Sequence, residues 1–182
     1  MTKLRFSTAL EVFEAFPSLR DDLQSAPTAE SPPVFLRALG TSVTPEDGVA
    51  FCAYALDRRE SVWWASQCVR RLPPMPFAAD AAIEAADAWV HEPREAQRLA
   101  ALRLGMASDR RAPTTWLALA AGWSGGNIAP AGMGITHPEP HYTARAARVA
   151  ILSGLARVTA HDRRAQLARC LDAGLHLMRN VD

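Results

Sequence analysis

Residues 112–127 read APTTWLALAAGWSGGN, an apolar run that ends in a glycine pair. Pro113 suits the first turn of a helix, where its fixed φ helps and its missing N–H costs nothing. At about 100° per residue, Trp116, Leu119, Ala120 and Trp123 share one face. Leu117, Ala118 and Ala121 cover much of the rest. A helix apolar nearly all round is a buried helix. Residues 113–123 are therefore expected at the centre of the fold, with Trp116 and Trp123 bridging neighbours on either side. Gly125 or Gly126 closes the helix in a left-handed conformation, and Asn127 turns the chain. The segment that follows, 124–140, is too long for a simple connection. Pro130, Pro138 and Pro140 keep it from being helical.

Working outward, helix signals recur along the chain. Thr8 and Glu11 have capping-box spacing, which predicts a helix over 9–16 that stops at Pro17. Residues 18–31 are polar and read as a linker or surface wrap. Ser31-Pro32-Pro33 opens a short helix closed by Gly40. Thr44-Pro45-Glu46-Asp47 starts a helix that runs to about Leu56, with Thr44 as its cap and both acids facing the positive end of the dipole. Asp57 caps a helix over 58–72 that Pro73-Pro74 ends. Further helices are expected over 78–91, from Glu92-Pro93 to 106, over 113–123, from Thr143 or the residue before it to 158, and from a cap at Thr159 and Asp162 to 178. In the last, Leu167, Leu171, Leu175 and Met178 form the core stripe. Gly154 and Gly174 sit inside helices at a cost of about 1 kcal/mol each. A close approach of those two helices would rationalise them. β-Branched residues are few and no period of two persists, so no strand is expected.

The fold expected is all-α: a compact bundle of stacked antiparallel helical hairpins, about seven to nine helices. Asp-Arg-Arg recurs at 57–59, 109–111 and 162–164, each time between two apolar helices. As a repeat it would mark the turns of three hairpins, and the bundle would resemble an α-solenoid. Chance recurrence in an arginine-rich chain is the plainer reading. Residues 1–31 form an N-terminal helix and linker packed on the core, and 32–182 a single helical domain.

Composition narrows the partners. The chain has 182 residues, 49% hydrophobic and 21% charged, which is ordinary globular composition. A net charge of +1 argues against duplex nucleic acid or an anionic membrane as the dominant partner. No stretch approaches the roughly 20 apolar residues of a membrane span. Residues 1–10 lack the apolar run of a signal peptide. Cys52, Cys68 and Cys170 are odd in number, lack CxxC spacing and lie in apolar helical patterns. They read as buried free thiols in a reducing compartment, the cytoplasm.

No catalytic set emerges, and no pattern requires a cofactor. His137 and His141 are four apart with Glu139 between them, a spacing that suits a metal on a helix. Pro138 and Pro140 forbid that helix. A loop folding both imidazoles onto one ion would make the 124–141 segment the site of a metal-dependent enzyme or small-molecule binder. Ser124 lacks the preceding glycine and strand of a nucleophile elbow. Gly125-Gly126 trails from a helix C-terminus, whereas a phosphate cradle leads into a helix N-terminus.

One residue is out of place. In the 58–72 helix, Val62, Trp64, Ala65, Cys68, Val69 and Leu72 share an apolar arc. Trp63 falls outside it, among Arg59, Glu60, Gln67 and Arg70. The ordinary explanation is a second packing contact or arginine stacking on the indole. The functional explanation is a partner anchor formed by Trp63 with Arg59, Gln67 and Arg70. Ile128, Pro130 and Tyr142 make a second candidate contact surface.

The run Thr114–Pro130, the 138–147 region and the Trp63-Trp64 helix resemble an uncharacterised family of small bacterial helical proteins. The resemblance covers the chain from about Pro32 onward. Members are often encoded beside type VI secretion genes for spike proteins, tip proteins and effector adaptors. No catalytic residues are established for the family. The resemblance implies a non-enzymatic interaction protein: an accessory, adaptor or chaperone-like component that binds a secretion effector or spike protein. An immunity protein is a variant of the same class.

Overall fold

The computed structural model describes residues 5–73 and 80–179. Within them lie ten helices: α1 (Ala9–Ala15), α2 (Leu19–Asp22), α3 (Pro32–Gly40), α4 (Asp47–Ala55), α5 (Arg58–Arg71), α6 (Ala81–His91), α7 (Glu95–Ala107), α8 (Pro113–Gly122), α9 (Tyr142–Leu155) and α10 (Ala160–Arg179). No described residue is in a strand, as the all-α reading expects. The extra helix is α2, one turn inside the segment read as a linker. Four residues are too few to show a period. The expected start of the 78–91 helix lies outside the described residues; α6 is seen from Ala81, with Asp80 as N-cap accepting the Ala82 N–H at 2.8 Å.

Helix α8 is central. Leu117 to Ala121 are each fully buried, and the helix packs on α5, α6, α7 and α9. Its tryptophans, expected to bridge neighbours on either side, pack against the edge of the core. Trp116 and Trp123 are only partly buried. The Trp116 Nε1 donates to the Arg110 carbonyl at 2.9 Å, and the Arg110 guanidinium lies over its ring. The fully buried tryptophan is Trp64 on α5. Small residues set how close α7 comes to α8. A Cβ at Gly122 would stand 2.6 Å from Leu102 Cα, and one at Gly105 would stand 2.8 Å from the Leu119 side chain. Gly154 and Gly174 do not face each other. Gly154 lies against Leu72 at the end of α5, and Gly174 against Cys52 on α4 and Trp64 on α5.

The hairpin repeat is not what organises the bundle. α7 and α8 pack along their lengths, but α4 shares little with α5, and α9 little with α10. The three Asp-Arg-Arg tripeptides also do different things. Asp57 is the N-cap residue of α5 but makes no side-chain capping bond. Asp109 accepts the Arg111 N–H in a turn before α8. Asp162 lies inside α10, its N–H bonded to the Thr159 hydroxyl. Tripeptides that share no local role are a coincidence of composition.

The N-terminal segment is sewn into the same core. Ala9, Val12, Phe13, Phe16, Leu19 and Leu23 belong to the one contiguous buried cluster. Phe13 packs against Phe35 and Phe51, and Phe16 against Tyr54. Two buried carboxylates hold the polar stretch down. Asp22 accepts from Tyr54 Oη at 2.6 Å, Arg145 Nε at 2.9 Å and Arg148 Nη1 at 3.3 Å. Asp47 accepts from the Gln24 and Ser25 N–H groups and from the Thr44 hydroxyl. Thr44, read as the cap of α4, therefore bonds the Asp47 side chain, and the helix begins three residues after it.

Candidate functional site

The α5 apolar arc is buried as the 3.6-residue period requires. Val62, Trp64, Ala65, Cys68, Val69 and Leu72 are at most 4% exposed, whereas Trp63 is 40% exposed. The structure separates the four residues of that candidate anchor, Trp63, Arg59, Gln67 and Arg70. Arg59 turns to α6, donating from Nε to the Val90 carbonyl at 2.6 Å. Arg70 also turns to α6 and pairs with Asp87, its Nε at 3.1 Å, where Ser66 Oγ donates to the same carboxylate. These contacts fasten α5 to α6. Trp63 and Gln67 remain together on the other side.

There they line a groove of 620 Å³ between α5 and α10. The volume is in the range of small-ligand pockets, about 300–1,000 Å³. Trp63, Gln67 and Arg71 stand on the α5 side, and Arg169, Asp172 and His176 on the α10 side. Its walls are mixed, with indole and aliphatic surface beside charged groups. Trp64 ties the two helices together by donating from Nε1 to the Cys170 carbonyl at 2.9 Å. Cys68 and Cys170 also line the groove. All three cysteines are free and buried, as their apolar settings indicate. Spacing along the chain gives no hint that they converge: Gly174 brings α10 against Cys52, while Cys68 and Cys170 line one groove.

The 124–141 segment is an anchored loop. Gly126 takes a left-handed conformation, φ +64°, but the glycine pair does not cap α8: the helix has ended at Gly122, with Trp123 as its C-cap residue, and Gly126 turns the loop three residues later. Arg98, on α7 and 4% exposed, lies beneath the loop. Its guanidinium donates to the Gly122 carbonyl at 2.6 Å, the Asn127 carbonyl at 3.1 Å and the Glu95 carboxylate. That ion pair holds the Glu95 carboxyl below the usual range. Asn127 closes the loop across its base, accepting the Ala129 and Thr136 N–H groups and donating to the Gly134 carbonyl. Arg98 escaped the sequence reading. Its signal was available: with Ala101, Leu102 and Gly105 it completes an i, i+3, i+4, i+7 stripe that is otherwise apolar.

Of the second contact surface, Pro130 is exposed, while Ile128 and Tyr142 are half-buried. The Tyr142 ring packs against Trp123, tilted by 60° at 5.5 Å between centroids. The most exposed apolar side chains of the loop are Met133 and Ile135. His137 and Glu139 are exposed, and His137 Nδ1 lies 3.1 Å from the Gly126 carbonyl. The structure does not gather His137, Glu139 and His141: among the described residues, no three His, Cys, Asp or Glu side chains stand where they could hold one ion. No helix of the described residues is long and apolar enough to cross a membrane.

The model of a family of unknown function, DUF6931, matches residues 35–178. No curated protein and no solved structure matches the chain.

Proposed function

The chain belongs to the DUF6931 family of unknown function, and we propose that it is a non-enzymatic protein-interaction module whose partner docks at the Trp63 end of the α5–α10 groove. The observation that carries this reading is the 40% exposed indole of Trp63, set beside a groove of 620 Å³ on a helix whose other apolar side chains are buried. Tryptophan is enriched among the residues that dominate binding energy, because a rigid, large, amphipathic side chain loses little entropy when it is covered. Arg59 and Arg70, bonded to α6, leave Trp63 and Gln67 as the α5 contacts for a partner. Met133 and Ile135 on the anchored loop offer a second, smaller contact.

A bacterial secretion setting of type VI kind is the narrower proposal, with an effector or spike component as partner and the chain acting as accessory, adaptor or chaperone. It rests on the family resemblance described above. The test is co-purification of the tagged chain from its native host with the secretion components encoded nearby, followed by titration of the recovered component with wild type and Trp63→Ala. The expected result is capture of an effector or spike protein and a loss of about 2 kcal/mol or more in binding, roughly 30-fold, for the variant. Equal affinity of the folded variant would remove Trp63 from the interface. Unaltered secretion in a deletion strain would remove the secretion role.

A further inference from the structure

The groove has a chemical floor independent of any partner. Cys68 on α5 and Cys170 on α10 both line it, each 4% exposed. Trp64, one helical turn before Cys68, donates from Nε1 to the Cys170 carbonyl at 2.9 Å, so the two cysteines stand at the same contact between α5 and α10. We propose that Cys68 and Cys170 are an oxidation site: a hydroperoxide entering the α5–α10 groove converts the pair to a disulfide that joins the two helices.

The two sulfurs differ in their surroundings. Pairing with the Cys68 thiol pulls the Cys170 thiol below the ordinary value; burial opposes this, and the nearby Arg71 guanidinium adds to it. The same pairing, with burial, pushes the Cys68 thiol well above the ordinary value. The thiolate is the reactive form, and with Cys170 as the attacking sulfur Cys68 is the resolving one. Cys52 is fully buried and does not line the groove. Burial, first, and Cys170 nearby push its thiol up, so it takes no part.

The chemistry balances with the peroxide as oxidant. The Cys170 thiol loses its proton, and its sulfur attacks one peroxide oxygen. The O–O bond breaks, and the departing oxygen takes up that proton and leaves as water or an alcohol. The sulfur is now a sulfenic acid. The Cys68 sulfur attacks it, the S–S bond forms, the S–O bond breaks, and hydroxide leaves with the Cys68 proton as water. Two electrons pass from the thiol pair to the peroxide.

The test treats the folded, full-length protein with hydrogen peroxide, alkylates the remaining thiols after denaturation, and maps tryptic peptides by mass spectrometry. Cleavage at Arg59, Arg70, Arg169 and Arg179 places Cys68 and Cys170 on separate peptides, and Cys52 lies on a third. The expected result is loss of two of the three thiols, a Cys68–Cys170 linked peptide that dithiothreitol releases, and an alkylated Cys52. Cys68→Ser should stop at a dimedone-reactive sulfenic acid on Cys170. Three free thiols at a peroxide dose that oxidises glutathione would overturn the proposal, as would a linkage through Cys52. The wild-type map decides the matter even where a serine variant does not fold.

Discussion

Trp63 and Trp64 are adjacent in the chain and opposite in consequence. The Trp64 indole is fully buried and bonds the Cys170 carbonyl. Trp64→Ala should cost about 3–5 kcal/mol, the range for deleting a buried aromatic side chain. Trp63→Ala should cost under about 1.5 kcal/mol, because a 40% exposed side chain leaves a smaller void that water can fill. Urea midpoints of the two variants check this, and a Trp63 variant as unstable as the Trp64 one would make Trp63 a core residue. The period of 3.6 separates these two residues from sequence alone. What it leaves out is the direction taken by long side chains. Arg59 and Arg70 share the polar arc with Trp63, yet their reach carries both guanidinium groups to α6. Helical angle assigns a Cβ, and an arginine head lies several bonds beyond it.

The joint of α7, α8 and the loop shows how one element depends on small groups in its neighbour. At Gly122 an added Cβ meets Leu102 backbone at 2.6 Å. Gly122→Ala should therefore lose about 3 kcal/mol, the cost of forcing two packed helices apart, despite a gain in helix propensity of about 1 kcal/mol. At Gly154 the obstacle is only the Leu72 Cδ1 tip at 2.7 Å. A rotamer change relieves that contact, so Gly154→Ala should be close to neutral in thermal denaturation. Arg98→Met keeps the aliphatic stem but removes the donors to the Gly122 and Asn127 carbonyls. The expected loss is about 2–3 kcal/mol, since hydrogen bonds from a charged group to buried carbonyls are the strong ones. Amide exchange should rise through 124–136 while α9 keeps its protection. Unchanged exchange there would show that Asn127 alone sustains the loop.

At the scale of the molecule, the N-terminal segment and the core behave as one body. Deleting residues 1–31 would uncover Phe35, Phe51 and Tyr54, and would leave the Arg145 and Arg148 guanidinium groups without Asp22. The shortened chain should lose its cooperative transition or aggregate. A melting temperature equal to that of the full chain would make the segment an appendage. The same junction carries an alkaline dependence. Burial first, and the Asp22 hydrogen bond second, push the Tyr54 hydroxyl up to about 12 from 10. Between those values the folded protein holds a proton that the unfolded chain has lost, so the stabilisation is complete below pH 10 and declines as pH rises towards 12. Tyr54→Phe should flatten that part of the urea midpoint profile. The raised Cys52 and Cys68 thiols act with the same sign from a lower pH, and the lowered Cys170 thiol acts against them.

Local chemistry determined the all-helical class and nearly every helix boundary. Capping residues and first-turn prolines act within a few residues of themselves, and no distant contact is needed to read them. Burial of the α5 arc, the α10 stripe and the middle of α8 was equally legible, because apolar periodicity expresses a single face. Which faces meet was not. Gly174 opposite Cys52, Arg98 beneath the loop, and Cys68 against Cys170 are juxtapositions of residues far apart in the chain, and helix periodicity carries no information about them. The three Asp-Arg-Arg tripeptides suggested a repeat that the packing does not follow. The groove belongs wholly to the tertiary structure: it exists because α5 and α10 are held together at Trp64 while the side chains beyond it leave space, and neither helix alone records that space.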